Sequence, residues 1–192
     1  MEVELRAKSR SQLMRVIGWV LRPFNPAFME RYWTTIGSTI YVPTQHDDEK
    51  DWGEAAFRAR HRDIIDHEKV HVEQFECWGV LGMAFGYLGP SPFLFIASLA
   101  FFGLDTLGGT TPWRQASWLS IVEAIALLPL SVGLAYFRWR IERAAYMVQV
   151  RASPRPETIE HVVSVIWTGY LWAWPRPWMR RWFERQLEGK AG

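Results

Sequence analysis

The sequence predicts a mainly helical α+β fold with one small β-hairpin. Three observations carry that expectation. Two β-rich runs, Tyr32-Trp33-Thr34-Thr35-Ile36 and Thr39-Ile40-Tyr41-Val42-Pro43, flank a two-residue Gly37-Ser38 connection. A charged stretch with helical apolar spacing begins near Asp51 and continues beyond Trp78. Two apolar segments follow, Pro92 to Leu104 and about Trp118 to Phe137. β-branched and aromatic runs bounded by turn residues make strands, whereas apolar residues recurring every three or four positions make helices.

At the N-terminus, Ser9 or Ser11 is placed to cap a helix running to about Arg22. Its apolar residues Leu13, Val16, Ile17, Val20 and Leu21 follow helical spacing, and its other face is basic. Such a helix docks on a domain or lies on an anionic membrane surface. The apolar stretch before Arg22-Pro23 is too short for a signal peptide, so the expected location is cytoplasmic or cytoplasm-facing. The Gly37-Ser38 pair suits a type II′ hairpin turn, and Pro43 suits an edge strand. Thr44 to Lys50 reads as a loop. The helix that begins near Asp51 is loosened or ended by Gly79, Gly82, Gly86 and Gly89-Pro90.

The second apolar segment is long enough to span a bilayer, and the first is if residues from Val80 onward are included. Arg138, Arg140 and Arg143 follow the second segment, while the loop between the two carries only Arg114. A membrane hairpin would therefore put that loop outside and the preceding helix on the cytoplasmic side. The alternative is a pair of buried core helices, and Glu123 inside the second segment favours a protein- or water-facing position. The tail interleaves Trp167, Tyr170, Trp172, Trp174, Trp178 and Trp182 with Arg176, Arg180, Arg181 and Arg185, broken by Pro175 and Pro177. That pattern reads as an interfacial aromatic and basic belt.

The length fits one domain with material for a core. Four stretches organise it: an N-terminal amphipathic helix over 1–31, the hairpin and motif helix over 32–78, an apolar helical pair over 79–137, and a further helix with the Trp/Arg-rich tail over 138–192. A formal net charge of +2 makes no case for nucleic acid. The single cysteine, Cys77, excludes an internal disulfide and a cysteine-built metal site. Any metal must rely on histidine and carboxylate.

One pattern carries chemistry: His67-Glu68-Lys69-Val70-His71, an HExxH motif. Residues four apart on a helix share a face, so His67 and His71 point two imidazoles at one ion. Glu68 lies about 100° round the wheel, within reach of a water on that ion. Zn²⁺ bound by two imidazoles and a third protein ligand lowers the pKa of a water in its open position, and Glu68 takes that proton. Ile64, His67, Glu68, His71, Phe75 and Trp78 fall on one stripe of the helix, which reads as buried.

The third ligand is expected to be Glu142, in Glu142-Arg143-Ala144-Ala145-Tyr146. Ala145 would permit close helix approach, and the Tyr146 hydroxyl could serve a developing oxyanion. The rivals are Glu123 and His161. Glu123 stands about 28 Å from Glu142 along a continuous helix, so one ion cannot use both. Glu68-x-x-His71 also matches half of a di-iron carboxylate site, but Glu157 and Glu160-His161 do not repeat the spacing.

These residues resemble the gluzincin metallopeptidases and the small bacterial and phage proteins related to them. The resemblance covers roughly residues 32–78 and 138–150. It implies a minimal zincin-like helical core in which His67, His71 and Glu142 hold Zn²⁺. It makes Glu68 the general base and the substrate a peptide or protein, while Tyr146 is a second catalytic candidate from its place on the Glu142 helix. It also implies that Thr39 to Val42 is an edge strand that aligns peptide by main-chain pairing. The contrasting expectation is a non-enzymatic membrane or assembly protein with a structural or vestigial metal site.

Overall fold

A computed structural model describes residues 3–23, 25–49, 51–88, 133, 135–169 and 174–189. The expected apolar segments, the loop between them and Glu123 lie outside these residues, apart from the last positions before Phe137. The described chain is mainly helical with a three-stranded sheet. Among the described residues no helix is long and apolar enough to cross a membrane.

Two compact units form, Met1–Met83 with Arg143–Ser153, and Ala84–Glu142 with Pro154–Gly192. In the first, β1 (Glu4–Ala7) leads through a 3-10 turn into α1 (Gln12–Leu21) and α2 (Phe28–Arg31). Ser11 caps α1 as expected, its Oγ accepting from Met14 N–H at 3.3 Å. A side chain at Gly18 would collide with Met29, so the glycine lets α1 and α2 approach closely. The hairpin follows as β2 (Thr34–Ile36) and β3 (Thr39–Val42), paired antiparallel across Gly37-Ser38. Gly37 takes φ 60°, the sign a tight hairpin needs at this position.

The strand order β1-β3-β2 corrects one expectation. Thr39 to Val42 is the central strand, not an edge, because Glu4–Ala7 pairs with it in parallel, Leu5 opposite Ile40. Pro43 ends that strand beyond its last pair, so its missing N–H costs the ladder nothing. The N-terminal strand carries no strand signature in sequence, because Glu4-Leu5-Arg6-Ala7 is half charged and four residues long.

The motif helix also starts later than its spacing predicts. Asp51 begins a turn, α3 spans Ala55–Arg60, and α4 spans Arg62–Leu88. His61 breaks the run with φ −103° and ψ 20°, outside helical values. Gly79, at φ 67° and ψ 171°, kinks α4 in a region open essentially to glycine alone. The buried stripe of α4 is rotated from the expected one. Ile65, His67, Glu68, His71 and Val72 are buried, whereas Trp78 is 37% exposed. Ile65 and Val72 pack with Val3 and Ile40, and Leu5 and Trp33 flank this cluster. The sheet is thereby fixed to the motif helix.

A helix over 135–152, α5, begins in the second unit and ends in the first. The second unit also holds α6 (Pro156–Gly169) and α7 (Arg176–Glu188). A side chain at Gly86 would strike Phe137 and Ile141, so α4 and α5 meet closely there. Trp139 is buried with its ring edge-on to Trp182 and Phe183, at 5.7 Å for each pair of centroids. Trp174 lies between Tyr136 and Trp178. Of the tail aromatics, Trp167, Trp174 and Trp182 are half-buried and Trp178 is 61% exposed, while Tyr170 and Trp172 lie outside the described residues. Among the tail's arginines, Arg176 and Arg180 pair with Glu160, and Arg176 lies over Trp167. Pro177 does not break a helix. It sits in the first turn of α7, where its missing N–H has no partner to lose.

Candidate metal centre

His67, Glu68 and His71 come from one buried face of α4, as the i, i+4 spacing requires. The two Nε2 atoms stand 3.3 Å apart. Two nitrogens at about 2.0–2.1 Å from a tetrahedral zinc are separated by about 3.3 Å, so the pair already has the spacing of two ligands. The other nitrogen of His71, Nδ1, lies 2.9 Å from Gln74 Oε1. An amide oxygen only accepts, so Nδ1 carries the proton and Nε2 presents its lone pair. Burial, followed by the proximity of His71, pushes the His67 imidazole down to about 3. His67 is thus neutral near pH 7, the form that binds metal.

Glu142 and Tyr146 share a face of α5, one turn apart. The Tyr146 ring packs edge-on to His67, with centroids 4.4 Å apart. Glu142 is fully buried. One nitrogen each of His67 and His71 and a carboxylate oxygen of Glu142 lie within 4.8 Å of one another, a group that could hold a metal ion. Placing two imidazoles and a carboxylate together in a buried setting is costly, and a divalent cation there would offset that cost. Two nitrogens and one carboxylate oxygen form a donor set that would suit a divalent metal such as zinc. Of the rivals, His161 is exposed on α6 and joins no such group among the described residues, and Glu123 lies outside them.

Three further side chains shape the site. Thr35 of β2 donates its hydroxyl to Glu68 Oε2 at 2.6 Å. This bond fixes the carboxylate's orientation and ties the sheet edge to the motif. Gln74 orients His71, as above. Lys8 is fully buried beyond β1, its Nζ donating to the Phe28 carbonyl at 2.8 Å and standing 3.7 Å from the centre of the Phe28 ring. Burial lowers the Lys8 ammonium to about 7, opposed by the charge of Glu68. Gln74 was findable from sequence, because it lies three residues past His71 on the same helix. Thr35 meets Glu68 only through tertiary packing.

No family model matches the chain, and neither a curated protein nor a solved structure matches it.

Proposed function

We propose that the chain is a zinc-dependent hydrolase, most simply a metallopeptidase, with His67, His71 and Glu142 as ligands. The observation that carries this reading is the 3.3 Å separation of the His67 and His71 Nε2 atoms, with Glu68 one residue along the same buried face. Zinc held there supplies Lewis acidity, acidifying a coordinated water and polarising a substrate carbonyl. Glu68 receives the water's proton and later delivers it to the leaving amine. Thr35 holds the Glu68 carboxylate in one orientation, which lowers the entropy lost on reaching the reactive geometry. Tyr146 is assigned the hydrogen bond to the developing oxyanion.

The substrate-aligning role moves from β3 to β2. Among the described residues central β3 has both edges paired, whereas β2 is an edge strand and carries Thr35, the partner of Glu68. A peptide added along β2 would run past the carboxylate that serves the scissile bond.

The test compares Glu68→Gln with the wild type. Zinc content should stay at the wild-type level while cleavage in a peptide-library screen falls by about 10²–10⁴-fold, the usual worth of general-base catalysis. Zinc retained with cleavage undiminished would remove Glu68 from the reaction. Zinc bound with no cleavage in either protein would favour a structural site.

Association with a membrane surface is a second reading, supported by α1. Val16, Trp19 and Val20 are 61%, 76% and 54% exposed on a helix that also carries Arg15. A Trp19→Ser/Val16→Ser variant should lose binding to anionic vesicles in co-sedimentation, if that reading holds.

A further inference from the structure

A second set of nitrogen and oxygen donors converges in the first unit, away from the HExxH motif. We propose that His46, Glu49 and His61 form a second site for a borderline divalent cation such as zinc. This inference is independent of the reading at His67.

The three side chains come from three local structures. His46 ends the 3-10 turn Thr44–His46, Glu49 follows in the loop, and His61 occupies the break between α3 and α4. One ligand atom from each lies within 4.8 Å of the others. Glu49 Oε1 is the shared point. It makes a short contact with His46 Nδ1 and stands 3.6 Å from His61 Nε2. That His61 Nε2 is buried and has no hydrogen-bond partner. Leaving a ring nitrogen buried without a partner is costly, and a bound cation would recover that cost.

The surroundings have the features of an oriented site. Arg60 grips the other carboxylate oxygen of Glu49 and is itself held by Asp51 Oδ2 at 2.8 Å. The guanidinium thus directs Oε1 toward the two histidines, as outer partners orient metal ligands. Trp33 and Phe57 wall the group, with Trp33 centroids 5.8 Å from His46 and 5.6 Å from His61. The ligand side chains are only 15%, 25% and 14% exposed. Gln45 Nε2 lies 3.0 Å from His46 Nε2, so His46 carries its proton on Nδ1, facing Glu49. Metal binding at Nδ1 moves that proton to Nε2, and the Gln45 amide turns to accept from it. Two imidazoles and one carboxylate suit zinc, nickel or copper over magnesium or calcium.

The site would clamp the Thr44–Asp51 loop onto the residue that precedes α4. His61 is six positions before His67, so a cation here braces the start of the motif helix without entering its centre. The α4 cap, rather than the HExxH face, then becomes metal-dependent.

Zinc titration of the full chain, followed by metal analysis after gel filtration, tests the proposal. The wild type should retain two equivalents. His46→Ala/His61→Ala should retain one, with His67→Ala/His71→Ala losing the other. A single equivalent that survives in His46→Ala/His61→Ala and disappears in His67→Ala/His71→Ala overturns the second site. A single equivalent with the opposite behaviour supports it and sinks the HExxH centre instead. Should either variant fail to fold, zinc-edge anomalous scattering from wild-type crystals grown with zinc decides. A peak among His46, Glu49 and His61 supports the site, and no peak there overturns it.

Discussion

At the residue scale the buried histidine sets a pH dependence whose sign follows from its environment. The His67 imidazole titrates at about 3 in the folded chain, against about 6.5 when unfolded. Between those values the unfolded chain takes up a proton that the folded chain refuses. Stability is therefore fully present above about pH 6.5 and is lost as pH falls toward 3. Denaturant titrations of metal-free protein should show a loss on the order of 3–5 kcal/mol across that window, absent from His67→Gln. Lys8 gives a second window. Its folded value of about 7 lies below the ordinary 10.5, so its cost to the fold is relieved as pH rises from 7 to 10.5. The stability advantage of Lys8→Met over the wild type should shrink across that range, measured by urea midpoints. A constant difference would mean that Lys8 keeps its proton throughout.

At the element scale, α4 joins the sheet, the motif and a kink in one helix. Gly79 holds φ 67° and ψ 171°, so Gly79→Ala should destabilise by about 1–3 kcal/mol. An unchanged melting temperature would mean that the kink straightens freely. Ile65 is buried between helix and sheet, and Ile65→Ala should cost about 2–5 kcal/mol in equilibrium unfolding. Local rules read several elements well. Gly37-Ser38 marks the hairpin, Ser11 the start of α1, and the i, i+4 pairing of His67 and His71 their common face. They failed where tertiary pairing decides. Glu4–Ala7 is too short and charged to announce a strand, yet it pairs along its whole length with β3. Its presence converts Thr39–Val42 from edge to centre. The expected start near Asp51 and the break at His61 differ for a similar reason: periodicity runs straight through a residue whose ring belongs to the group with His46 and Glu49.

At the scale of the whole molecule, the motif lies in one unit, while the helix carrying Glu142 and Tyr146 is shared by both. Sequence spacing brought His67, Glu68 and His71 together, because a helix fixes neighbours four apart. It could propose Glu142 only from chemistry, since 70 positions separate it from His71 and no local rule spans that distance. Zinc that binds only the folded chain should raise its stability by RT ln(1 + [Zn]/Kd), about 2.7 kcal/mol at one hundred times Kd. Glu142→Ala should lose most of that gain from the HExxH centre in zinc-titrated melting curves, whereas Thr35→Val should keep it. The most direct test of the central claim is zinc-edge anomalous diffraction from crystals of the full chain grown with zinc. The account predicts a peak about 2.0–2.2 Å from the Nε2 atoms of His67 and His71 and from a Glu142 carboxylate oxygen. A well-ordered map with no zinc at His67 and His71, or with Glu142 turned away from a zinc bound there, would contradict it.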